Sequence, residues 1–117
     1  MSNKLLFLTK MNKLLEWEDE NLPTPNTFLN KKLLLKIALN EFEKDAGTYP
    51  IKNIYLDSTF ASSSVRKSLQ RMESLKLISK ETNISDNRMK TIYTTHEFNR
   101  IIDSYQVFFE ITMNSNE

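Results

Sequence analysis

A chain of 117 residues can build one hydrophobic core but not a catalytic domain beside a regulatory one, so a single domain over 1–117 is expected. With no cysteine, a disulfide framework and a thiolate metal site are excluded; one glycine, three prolines, 39% hydrophobic and 26% charged residues fit a helix-rich globular protein better than disorder or a turn-rich sandwich. Net charge is only +1, yet residues 51–92 carry eight Lys/Arg against four Asp/Glu and residues 93–117 one against four, so the positive charge is concentrated in one segment.

The first residues hold a four-residue apolar run, Leu5 to Leu8. That is far below the roughly 7–15 of a signal-peptide core or the roughly 20 of a membrane span, and the expected location is the cytoplasm. Residues 3–20 place Leu5, Phe7, Leu8, Met11, Leu14, Leu15 and Trp17 on one broad apolar helical face. The helix ends in Glu16, Glu18, Asp19 and Glu20, acids that oppose the helix dipole, so this end either frays or meets basic groups elsewhere. Pro23 and Pro25 break the chain, and a second helix near 25–45 follows, with an apolar stripe from Phe28 to Phe42 wide enough to be buried on more than one side. Gly47 sits where a left-handed C-cap would fall. A short helix near 51–58, with Ile51, Ile54 and Tyr55 inward, leads into a turn.

From Ser62 to about Leu75, Val65, Leu69, Met72 and Leu75 repeat at helical spacing, while Ser63, Ser64, Arg66, Lys67, Gln70 and Arg71 occupy the opposite face. Strands near 77–81 and 89–95 flank a polar loop holding Asp86, Asn87 and Arg88. A polar-faced helix followed by a hairpin is the layout of a winged helix-turn-helix over 25–95, in a mainly α fold with a small β wing. Ser62, Ser63, Ser64, Arg66, Lys67, Gln70 and Arg71 on the helix, with Asn87, Arg88 and Lys90 on the wing, are the candidate DNA contacts. Arg88 suits the narrow minor groove, and Asp86 can orient its guanidinium. One of the three serines is expected to serve as a cap. The same cations could form an ordinary solvated helix face; their coincidence with the wing favours the DNA reading.

The last helix, about 96–113, spaces Phe98, Ile101, Ile102, Tyr105, Phe108 and Phe109 by threes and fours. With Leu8, Met11 and Leu15 of residues 1–22, these form the expected homodimer seam. His96, the only histidine, has no partner for a metal site or catalytic dyad, and no glycine-rich phosphate loop exists, so the chain reads as a non-enzyme without cofactor or metal.

With these residues placed, the segment from about 50 to 98 resembles the MarR (multiple-antibiotic-resistance regulator) family. The family's wing reads Asp-x-Arg followed by Leu-Thr-x-x-Gly, and Asp86, Arg88, Thr94-Thr95 and Phe98 occupy the matching positions. Val65, Arg66-Lys67 and Met72 fit its recognition helix, and Leu77-Ile78 its first wing strand. This chain has Lys76, Thr94 and Phe98 where the family has glycine, leucine and glycine. The resemblance implies a homodimeric transcription regulator that binds double-stranded DNA, with the recognition helix in the major groove and the wing in the minor groove. It also implies a small aromatic effector, in a pocket that this shorter chain reduces or removes. The alternative is a winged-helix module for protein contact, an accessory factor of replication, plasmid maintenance or a phage.

Overall fold

The structure, a computed structural model, describes residues 2–44, 48–82 and 90–114. Gly47, Asp86, Asn87 and Arg88 lie outside the described residues. The order is α1 (Asn3–Asn21), α2 (Phe28–Lys44), β1 (Thr48–Pro50), α3 (Ile51–Asp57), α4 (Ser62–Ser74), β2 (Ile78–Thr82), β3 (Lys90–Thr94) and α5 (His96–Asn114). This is a winged helix-turn-helix, mainly helical with a small antiparallel sheet.

Helix starts follow side-chain chemistry. The Ser2 hydroxyl accepts the Leu5 amide at 3.1 Å, and the Thr27 hydroxyl accepts the Asn30 amide at 3.2 Å. That second cap, after Pro25, starts α2 three residues later than the expected 25. At α5, the Thr95 hydroxyl accepts the Phe98 amide at 3.2 Å and lies 2.8 and 3.0 Å from the carbonyls of Lys76 and Leu77. One threonine thus ties the end of α4 to the start of α5.

The sheet runs β1-β3-β2, with Tyr49 opposite Ile92 and Ile78 opposite Thr94. The strand β1 was not expected from the sequence, because three residues are too few to show alternation. One core joins the elements: Leu33 and Ile37 of α2, Ile54 of α3, Val65, Leu69 and Met72 of α4, then Leu77, Ile78, Ile92 and Phe98. Phe98 is fully buried here, which removes it from the expected dimer seam. Its position at the mouth of α5, three residues after the Thr95 cap, turns it under the sheet instead of outward.

Helix α2 is buried along one side only, leaving Phe28, Leu35, Leu39 and Phe42 exposed. Helices α1 and α5 pair antiparallel: Lys10 Nζ donates to the Met113 carbonyl at 2.7 Å, and Trp17 stacks on Phe108 with ring centroids 5.2 Å apart. The acidic end of α1 does meet a base, since Glu18 is buried and reaches Lys31 at 3.5 Å while accepting the Tyr105 hydroxyl. Burial first, then the Glu18 hydrogen bond and charge, hold the Tyr105 phenol well above the ordinary tyrosine range.

Candidate nucleic-acid interface

The helix α4 is sharply two-sided. Val65, Ser68, Leu69 and Met72 are buried, whereas Ser62, Ser63, Ser64, Arg66, Lys67, Gln70 and Arg71 are all exposed. Leu75, expected inward, is 39% exposed, and Ser68 takes a place in the buried stripe. No serine caps the helix: it opens after Ala61, whose carbonyl accepts the amides of Ser64 and Val65 at 3.0 and 3.1 Å. Among the described residues, the hydroxyls of Ser62, Ser63 and Ser64 therefore make no hydrogen bond and remain available to an outside acceptor or donor.

Electrostatically this face is open. The ion pairs among the described residues are Lys31–Glu18, Lys80–Glu73 at 3.8 Å and Arg100–Glu97 at 2.7 Å. None engages Arg66, Lys67 or Arg71, so their charges are not neutralised within the described chain. A helix about 10–12 Å across fits the major groove, about 12 Å wide, with arginine and lysine suited to guanine edges, glutamine to adenine and hydroxyls to phosphates. Lys90 is exposed where β3 leaves the wing. Lys76, exposed at the end of α4, is a further cation; its glycine-type position marked it as a backbone feature only.

The expected dimer residues divide. Leu8, Leu15 and Phe109 are exposed, Met11 is half-buried, and Ile101, Ile102, Tyr105 and Phe108 are half-buried against their own chain. Val107 and Ile111, 54% and 66% exposed, lie on the other side of α5, outside its heptad-like seam. A cavity of about 740 Å³ lies between α1, α2 and α5, walled by Leu14, Leu35, Leu39 and Phe109 with Lys31 and Lys32 alongside. Among the described residues no group of three His, Asp or Glu could hold a metal, and no helix is long and apolar enough to cross a membrane.

No protein-family model matches the chain, and no curated protein sequence does. Solved structures do. The YusO protein from Bacillus subtilis superposes with a TM-score of 0.71 at 20% identity, over 94% of this chain and 72% of that one. A mutant of S. aureus MepR bound to an oligodeoxyribonucleotide gives 0.74 at 17% identity, over 97% and 80%. Sco3205, a MarR family transcriptional regulator from Streptomyces coelicolor in complex with DNA, gives 0.65 at 14% identity, over 92% and 64%. The fold of this chain is that of MarR-type winged-helix regulators.

Proposed function

We propose that the chain is a sequence-specific regulator of transcription that binds double-stranded DNA as a homodimer, with α4 in the major groove and the wing at the flanking minor groove. The observation that carries this reading is the face of α4, where Arg66, Lys67 and Arg71 stand exposed without an ion pair among the described residues. Phosphates would supply the missing countercharge. The fold supports it, since two structures that share it hold DNA. Arg88, Asn87 and the orienting Asp86 enter on the sequence resemblance alone, with Lys90 beside them.

Dimerisation is proposed through Leu8, Met11, Leu15 and Phe109, with Val107 and Ile111 as additional exposed apolar contacts and Ile101, Ile102, Tyr105 and Phe108 backing them. The resemblance adds a small aromatic effector for the cavity between α1, α2 and α5, and a cytoplasmic location. Selection of bound fragments from random duplexes tests the reading: a palindromic product with half-sites about 10–10.5 base pairs apart, bound with a steep loss of affinity as salt rises, is expected. No enriched sequence and no salt dependence would sink it. The exposed apolar stripe Phe28, Leu35, Leu39 and Phe42 favours, as a second reading, a module for protein contact, whose affinity salt would hardly change.

A further inference from the structure

One polar side chain interrupts the apolar stripe beneath α4. Val65, Leu69 and Met72 are at most 1% exposed, and Ser68 between them is 6% exposed. The Ser68 hydroxyl donates to Oδ1 of Asn30, in the first turn of α2 and 38 residues away in sequence. Asn30 is itself buried and held from two sides: its Nδ2 donates to the Pro25 carbonyl at 2.8 Å, and its backbone amide to the Thr27 hydroxyl at 3.2 Å. The next residue, Lys31, reaches Glu18 of α1, and Glu18 accepts the Tyr105 hydroxyl of α5. The first turn of α2 is therefore anchored to the α1–α2 corner and to both long helices, and Asn30 extends from that anchored turn to α4.

Packing alone does not need this bond. Alanine at 68 facing an apolar residue at 30 would fill the same place without this buried polar pair, and the Pro25 carbonyl that loses Asn30 would keep the Thr27 amide at 2.8 Å, so the loss of stability would be small. What the bond adds is direction. Apolar contact is non-directional, so a helix seated only on Val65, Leu69 and Met72 can roll about its axis at small cost. A roll of about 10° carries side-chain tips about 5–6 Å from the axis through about 1 Å, enough to spoil hydrogen bonds to base edges. Phosphate contacts, being less directional, tolerate it better.

We propose that Asn30 is a positioning residue for the recognition helix: through Ser68 it sets the rotation of α4 and so aims Arg66, Lys67, Gln70 and Arg71. The functional consequence rests on the DNA-binding reading above. The test compares Ser68→Ala with the double variant Asn30→Leu, Ser68→Ala, using the selected duplex and a scrambled one well below the melting midpoint of each protein. Ser68→Ala leaves Asn30 Oδ1 buried without its donor; its midpoint should fall, and preference for the selected duplex should drop about tenfold, the scale of one mismatched base pair. The double variant removes both polar partners of that bond; it also loses the Asn30 Nδ2 bond to the Pro25 carbonyl, which keeps the Thr27 amide at 2.8 Å. Its midpoint should therefore rise above that of Ser68→Ala while the preference stays about tenfold down, with affinity for the scrambled duplex unchanged. Preference that returns together with the midpoint, or never falls in Ser68→Ala, overturns the proposal. A DNA-free measurement separates this outcome from failure of the DNA reading: residual dipolar couplings of α4 amides, referenced to α2, should shift in Ser68→Ala. Shifted couplings in a protein that binds no duplex would retire the DNA reading and keep the positioning role; unshifted couplings retire the positioning role itself, and they decide the matter should the double variant fail to fold.

Discussion

Replacing Lys76 by glycine should stabilise this protein. Lys76 has φ of 62°, in the left-handed region, and among the described residues it is the only non-glycine with positive φ. The backbone around it is over-determined. Its amide donates to the Glu73 carbonyl at 2.9 Å and the Leu77 amide to the Met72 carbonyl at 3.0 Å, the two bonds that close a helix through a left-handed residue. Leu77 and Met72 are both buried, and the Thr95 hydroxyl lies 2.8 Å from the Lys76 carbonyl, so the chain cannot relax without losing core contacts. A side chain with a Cβ in this conformation costs about 1–2 kcal/mol. Glycine relieves that but gives the unfolded chain more freedom, worth about 0.5–1 kcal/mol in the opposite sense. The net gain is about 0.5–1 kcal/mol, which in a domain of this size raises the melting midpoint by about 2–4 °C. Lys76 is exposed and makes no ion pair among the described residues, so loss of its charge matters little. Urea and thermal unfolding of Lys76→Gly against Lys76→Ala isolate the backbone contribution, because alanine keeps the Cβ and should gain almost nothing. Equal stability of the two variants would refute the reasoning.

At the candidate interface, alanine at Lys67 or Arg71 should act in one of two recognisable ways: a phosphate contact lowers affinity for every duplex and reduces the salt slope by about 1, while a base contact relaxes preference at one position by about 1–3 kcal/mol. Two unchanged binding curves would remove that residue from the interface. Phe109→Asp should give a folded monomer with weak operator binding, since Phe109 is 45% exposed, whereas Ile102→Asp, half-buried against the core, should also lower the melting midpoint. Sedimentation of the unmodified protein as a monomer at micromolar concentration, with full binding by Phe109→Asp, would overturn the dimer. The raised Tyr105 phenol carries a pH signature: because its folded value exceeds the unfolded one, its stabilisation is complete below about pH 10 and is lost as pH climbs through the alkaline range. Tyr105→Phe should therefore lose stability less steeply above about pH 10, and an equally steep decline would show that this phenol is not the linked group.

Local pattern determined a large part of this protein. The 3.6-residue period of Val65, Leu69 and Met72 marked α4 and the run from Phe98 onward marked α5, while the left-handed cap found at Lys76 was indicated only by the resemblance, whose family has glycine there. Such features follow from backbone sterics and from which residues share one face of one helix, and both are written within a few neighbouring positions. What a face packs against is not written there. The seam of α5 is apolar whether its neighbour is a second copy or its own α1, and only the folded chain shows Phe98 in the core and Phe108 on Trp17. The apolar period of α4 gave no place to Ser68, which is buried because α2 brings Asn30 beside it, and the three residues of β1 became a strand only because β3 offered them an edge. Each of these was decided by a partner distant in sequence, whose identity no local period encodes.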